Sequence, residues 1–436
     1  MDLNKIIKLK DNLDKKKYVE LIINEYYENI KFFQELIDKF EVNFDTKMVE
    51  NFLKYKEVLL YAIKKLSIIT LEGKEEINDN LASNTKYYTI VCNKSLLLKS
   101  FKVFIYFYYI DSIIEKELYL PIDYEFNTKK IALMQLNFEG VPGKKIDSFI
   151  YIINPFELDE DSYSFFINKI LNNNFIYYLL HGSDSLDIPS TYTDIFKNDK
   201  EKIIKFTQRL VDTKYLCEYY HLDKYIKKRC KIKELLLELN IITNTKLNQL
   251  IKNEEDMGNI SDILIDIKTL SKELIKYSLY DVIYLKFLFI KFMNMDKHIY
   301  KYLIPEITRY VYLERRGIIK FTEKIDNIVY RLNIAKIDTM DDILDGIFMT
   351  LLYSIYNRKI MNIFEINYFK RHFINILKCV TYSILVENYK INMPNNTVFE
   401  GYINIGSLFK KLRNYNFFTI FNLLNMFKEE LKKYLV

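Results

Sequence analysis

Three apolar, strand-like runs follow one another in quick succession: Tyr119–Phe126, Lys130–Phe138 and Ser148–Asn154. The first two are joined only by the polar Asn127-Thr128-Lys129-Lys130, so the spacing predicts a meander of neighbouring strands. Within the first run, Asp123 and Glu125 stand at i and i+2. In a strand, both side chains then leave the sheet on the same face. Their neighbours Ile122, Tyr124 and Phe126 are too apolar for a solvated edge, so two carboxylates embedded here call for a chemical reason.

Around this centre the texture of the chain changes twice. From about residue 10 to 75, apolar and charged positions alternate at helical spacing, as in Tyr18–Tyr27 and Phe52–Leu60, and the polar Gly73–Asn80 reads as a linker. Lys86–Val91 is strand-like and Leu96–Tyr109 reads as a buried helix. Helical stretches at Ser162–Asn172 and Lys200–Leu210 alternate with the short strands Phe175–Leu180 and Arg209–Asp212. Such mixing predicts an α/β domain, a sheet covered by helices, over residues 86–296. Beyond Asp296 the apolar periodicity is helical throughout. At 436 residues the chain exceeds what one core serves. The expected division is an N-terminal helical segment (1–85), the α/β domain (86–296) and a C-terminal all-α domain (297–436).

With half its residues apolar and 28% charged, the chain is no disordered protein. No apolar stretch reaches 18 residues, which argues against a membrane span, and the N-terminus is too charged for a signal peptide. Cys92, Cys217, Cys230 and Cys379 form no CxxC pair and are expected as reduced thiols of a soluble cytoplasmic protein, or of a nuclear one. Cys217, His221 and Cys230 lack a fourth zinc ligand and any common zinc spacing, and read as packing residues. From Lys301 onward 20 Lys plus Arg stand against 13 Asp plus Glu. That basic third would suit a polyanion, although a Lys-rich composition gives any helical domain a mild positive charge.

A second acidic element lies about 150 residues on, at Tyr277-Ser278-Leu279-Tyr280-Asp281. Tyr277 and Asp281 are at i and i+4 of an apolar helix and share one face. A carboxylate on so apolar a helix is costly unless it is paired or metal-bound. If they converge, three acids and a phenol would suit two hard divalent cations and a water molecule.

The order of these pieces is informative. A strand with DxE, a strand with Ala132-Leu133-Met134-Gln135, an Ile-Asn-Pro strand, a His181-Gly182 turn with acids, Asp212-Thr213 and finally YxxxD resemble the ribonuclease D branch of the DEDD 3′–5′ exonucleases. The resemblance covers about half the chain, from Lys86 to about Met295. It implies a ribonuclease H-like mixed-sheet exonuclease domain and hydrolysis of terminal phosphodiesters with two Mg²⁺ or Mn²⁺ ions. By the same resemblance Asp123, Glu125 and Asp281 are metal ligands and Tyr277 orients the attacking water.

The family's middle acid follows a His with four residues between them. Here the turn reads His181-Gly182-Ser183-Asp184-Ser185-Leu186-Asp187, with Leu186 at the expected place. A turn longer by one residue would make Asp187 that acid, with Asp184 as the alternative. Asp212 and Gln135 resemble supporting residues, and His181 reads as a hydrogen-bonded turn residue, with a proton donor or substrate contact as the alternative. Tyr225, Lys227, Lys228 and Arg229 interleave basic and aromatic groups, which suits either phosphate contact with base stacking or a solvated helix surface. The resemblance favours RNA over DNA as substrate, and the helical flanks offer surfaces for protein partners. A catalytically weak nuclease fold acting as a nucleic-acid-binding or scaffold subunit is the alternative. The AT-rich composition and unfamiliar flanks suit a large DNA virus.

Overall fold

The computed structural model describes Ile7 and residues 14–43, 45–67, 69–71, 85–138, 147–223, 230–297, 300–301 and 304–318. Tyr225, Lys227, Lys228, Arg229, Cys379 and nearly all of the expected C-terminal all-α domain lie outside the described residues. The chain divides into two units, Met1–Thr213 with Ile232–Lys291, and Lys214–Lys231 with Phe292–Val436.

The first unit is mixed α/β. Among the described residues its sheet has seven strands: β1 (Ile69–Leu71), β2 (Tyr87–Val91), β3 (Leu118–Asn127), β4 (Lys130–Phe138), β5 (Ser148–Ile153), β6 (Ile176–Leu180) and β7 (Leu210–Asp212). Their order is β1-β2-β5-β4-β3-β6-β7. The meander β3-β4-β5 is antiparallel, while β2 joins β5, and β6 and β7 extend the β3 side, in parallel. At the β3–β4 turn, Thr128 and Lys129 both take positive φ, 46° and 69°. That is the type I′ geometry whose twist suits a two-residue hairpin. The sheet also begins earlier than expected, since β1 pairs antiparallel with β2 from within the stretch read as helical. Three residues are too few to display a period of two.

Helices α1 (Lys15–Glu28), α2 (Ile30–Val42) and α3 (Thr46–Leu66) precede the sheet, and α4 (Ser95–Glu115) connects β2 to β3. Helix α4 is apolar nearly all round, as a helix covered on both sides must be. Toward the sheet, Phe104 packs on Phe138 and Tyr151, each at 5.1 Å between ring centroids. Toward the N-terminal helices, Phe107 meets Phe33 at 4.9 Å and Phe52 at 5.3 Å. The ion pair of Lys56 with Asp111, 2.6 Å, ties α3 to α4. The helix ends at Lys116, in the left-handed region at φ 60°, whose N–H donates to the Ser112 carbonyl.

After β5 come α5 (Glu160–Phe165), wound more widely over Phe166–Leu171, then α6 (Asp187–Ser190), α7 (Lys200–Thr207), α8 (Thr213–Asp223), α9 (Ile232–Glu238), α10 (Asn244–Met257), α11 (Lys272–Ile283), α12 (Leu285–Met295) and α13 (Ile304–Arg315). Helix α11 packs on β3 and β4. It covers the face opposite α4: side chains alternate along β4, so Phe138 meets α4 while Asn137 turns the other way and donates to the Val282 carbonyl of α11 at 3.2 Å. In the second unit Tyr215 packs on Tyr312 and Phe292 on Tyr300, at 5.9 and 5.0 Å. No described helix is long and apolar enough to cross a membrane.

Candidate metal centre

The acids of β3 lie under α11. Asp123 pairs with Gln135 and Glu125 with Leu133 across the β3–β4 ladder, and the register shifts just after Glu125. Such a bulge bends a strand and re-aims its side chains. From α11, Ser278 Oγ reaches Glu125 Oε1 at 3.5 Å, and Asp281 stands one turn further along. Carboxylate oxygens of Asp123, Glu125 and Asp281 all lie within 4.8 Å of one another. Glu125 is buried, while Asp123 and Asp281 are half-buried.

These groups repel one another in an apolar setting, and their proton affinities rise accordingly. Burial and then the charge of Asp187 hold the Asp123 carboxyl well above the usual carboxylate range. Burial, then Asp123, Asp281 and Asp187, push Glu125 up to about 10. Burial and Asp123 raise Asp281, against the opposing pull of Lys233. Asp187 is pushed up to about 7 by burial, Asp212, Asp184 and Asp281. Burial and the same acids also keep the Tyr277 phenol protonated, so Tyr277 is available as a hydrogen-bond donor at the cluster. A concentration of carboxylates that resist ionisation is stabilised by a cation, and an all-oxygen donor set selects a hard one such as Mg²⁺ or Mn²⁺. The donor set thus fits the ions expected from the sequence.

The turn that leads to Asp187 is held from β7. Buried Asp212 accepts hydrogen bonds from the Gly182 N–H (2.9 Å), the Ser183 N–H (3.0 Å) and the Ser183 hydroxyl (2.9 Å). Thr213 donates to the Leu180 carbonyl at 2.9 Å, and His181 Nδ1 lies 2.9 Å from the same hydroxyl. Gly182, at φ 71°, supplies the left-handed conformation the turn needs. Leu186 is 39% exposed, whereas Asp187 opens α6 within electrostatic reach of Asp123 and Glu125. Asp187 is outside the group of three that lie within 4.8 Å, and Asp184 acts on the cluster by raising Asp187. Gln135 is fully buried, and among the described residues neither amide atom has a hydrogen-bond partner.

Three residues at the site went unremarked in the sequence. Ser278 sits inside the YxxxD element and touches Glu125. Lys233 lowers Asp281 while pairing with Glu254, which raises both Asp281 and Tyr277. Nothing in local spacing marks Lys233 and Glu254, because they reach the site from α9 and α10. One expectation is overturned. Cys217 and Cys230 are not reduced packing thiols but are joined in a disulfide, with His221 beside it. A separation of 13 residues says nothing of tertiary proximity, which α8 and the chain returning at Cys230 create.

The fold and the site define an α/β protein with a carboxylate cluster, carried on a sheet and the helix covering it, that can hold a hard divalent cation. No family model matches the chain. It is 33% identical over 388 residues to the uncharacterized protein L533 of Acanthamoeba polyphaga mimivirus, a match covering 83% of this chain and 75% of the relative. The chain therefore belongs to the family of that viral protein.

Proposed function

We propose that the protein is a Mg²⁺- or Mn²⁺-dependent 3′–5′ exonuclease with a ribonuclease H-like domain of the ribonuclease D type, acting on RNA in preference to DNA. The observation that carries this reading is the meeting of Asp123 and Glu125 with Asp281, 156 residues further along the chain, in one carboxylate cluster. Two divalent ions, when bound, supply the positive charge that activates water and stabilises the attacking and leaving oxygens of a phosphodiester.

The chain's own groups have separable tasks. Asp123, Glu125 and Asp281 hold the ions, and Ser278 fixes the Glu125 rotamer. Asp187, within electrostatic reach of Asp123 and Glu125, would offer a further carboxylate. Tyr277, kept protonated, donates to the attacking oxygen and aligns it with the terminal phosphorus. Asp212 positions Asp187 by holding the turn before it. The product is a nucleoside 5′-monophosphate.

The test uses 3′-end-labelled single- and double-stranded RNA and DNA, in Mg²⁺, in Mn²⁺ and in chelator. Stepwise metal-dependent shortening from the 3′ end, lost in Asp123→Ala and Asp281→Ala, is the expected result. Wild-type rates in either variant would refute the assignment. Binding of nucleic acid without turnover under any divalent ion would favour the scaffold alternative, motivated by Leu186 at the place of the middle acid.

A further inference from the structure

Cys217 and His221 lie one turn apart on α8, and the chain returns at Cys230 to the same spot. We propose that Cys217, His221 and Cys230 form a zinc site in the reduced protein, which the disulfide closes in the oxidised one. This inference is independent of the carboxylate cluster and of the proposed nuclease activity.

The geometry carries it. His221 is 3% exposed, and its Nδ1 stands 3.7 Å from Cys217 Sγ and 3.6 Å from Cys230 Sγ. A tetrahedral zinc with ordinary Zn–S and Zn–N bonds has S···N edges of about 3.5–3.6 Å. Two edges of the polyhedron are therefore already within ~0.2 Å of their length. The third, between the sulfurs, requires the freed thiolates to part to about 3.8 Å. Rotation about their side-chain torsions allows this, with the two Cα atoms 5.9 Å apart. Two thiolates and an imidazole together are a zinc ligand set. Among the described residues three ligands converge, which leaves the fourth corner to a water molecule.

The chemistry balances. An external dithiol or phosphine supplies two electrons, two protons enter, and the disulfide becomes two thiols. Binding one Zn²⁺ releases those two protons as both sulfurs ligate as thiolates. Oxidation of the two thiolates by a disulfide or peroxide oxidant expels the ion.

Cobalt makes the site visible, and the full-length Asp123→Asn/Asp281→Asn protein serves as background so that the carboxylate cluster contributes little. After phosphine reduction and removal of the reductant, anaerobic titration with Co²⁺ should saturate at one equivalent. A near-ultraviolet thiolate-to-cobalt absorption and the intense visible bands of tetrahedral cobalt should appear, both abolished by Zn²⁺. Cys217→Ser and Cys230→Ser should each reduce the charge-transfer absorption by at least half, and His221→Ala should weaken binding at least tenfold. The oxidised protein should show no such band. Protection needs no variant at the site: Zn²⁺ should shield Cys217 and Cys230 from iodoacetamide at least tenfold in the reduced wild-type chain, as read by peptide mass. Absence of the charge-transfer band, its persistence in the Cys217→Ser/Cys230→Ser double variant, or alkylation unaffected by Zn²⁺ would overturn the proposal.

Discussion

The residues of the carboxylate cluster are held in a state that costs the protein stability and fits it for a cation. Asp281 meets the charge of Asp123 in an apolar setting, and only Lys233 opposes that repulsion among the causes that shift it. Asp281→Asn keeps the shape and removes one charge. In chelator the variant should melt about 2–4 °C higher than wild type, the shift that ~1 kcal/mol produces in a unit of this size. In Mg²⁺ it should lose at least ~100-fold in nucleotide release, because an amide is a poor partner for a hard cation. Calorimetry and the end-labelled assay read the two effects separately. Loss of activity with unchanged apo stability would mean that the acids do not repel one another as strongly as their proximity implies. Two of the three acids were legible in the sequence: the i, i+2 spacing in an apolar strand places Asp123 and Glu125 on one face whatever the fold. That Asp281 joins them came from a resemblance in the order of short motifs, since spacing along a chain does not encode distance in space. Lys233 and Glu254 had no such order to announce them.

At the level of elements, two turns do most of the positioning. The β3–β4 turn, together with the register shift after Glu125, sets which residues of β4 oppose the acids, and it holds two side-chain-bearing residues at positive φ. Each carries a cost of ~1 kcal/mol that glycine largely escapes. Lys129→Gly should therefore stabilise the protein by up to ~1 kcal/mol, seen as a higher denaturant midpoint, with nucleotide release unchanged. The other turn, Gly182–Leu186, hangs on Asp212. Asp212→Ala removes an acceptor of three hydrogen bonds and leaves the Gly182 and Ser183 N–H groups without it, at a cost of ~2–4 kcal/mol. On the proposed function its effect on activity should appear in kcat more than in KM, because Asp123, Glu125 and Asp281 remain while Asp187 loses its placement. Strands β2 to β7 were legible as apolar runs bounded by polar turns, and α4 as an apolar helix. β1 escaped because three residues have no readable period, and Lys200–Leu210 was read too long because Leu210 belongs to the next strand. The disulfide escaped because the register between α8 and the returning chain is tertiary information.

Across the whole molecule, the strained acids link stability, pH and metal. A carboxyl that binds its proton more tightly folded than unfolded makes the folded state hold more protons between the two pKa values. Stability then falls as pH rises through that interval. For Asp187 the interval runs from ~4 up to about 7, and for Glu125 from ~4 up to about 10; Asp123 and Asp281 act in the same direction. Glu41 and Asp159, held low chiefly by hydrogen bonds with Lys169, Tyr109, Ser162 and Lys102, work oppositely but at more acidic pH, because their folded pKa values lie below the unfolded ones. Between pH 6 and 8 the raised group should dominate, so in chelator the melting temperature should decline across that range. The decline should be shallower in Asp123→Asn/Asp281→Asn. Divalent ions bind the deprotonated cluster, so their affinity rises with pH just where the apo protein weakens. Millimolar Mg²⁺ should therefore raise the melting temperature more at pH 8 than at pH 6, by mass action on the folded state alone. Equal increments at both pH values, or an increment surviving in the double Asn variant, would show that Mg²⁺ acts elsewhere than at Asp123, Glu125 and Asp281.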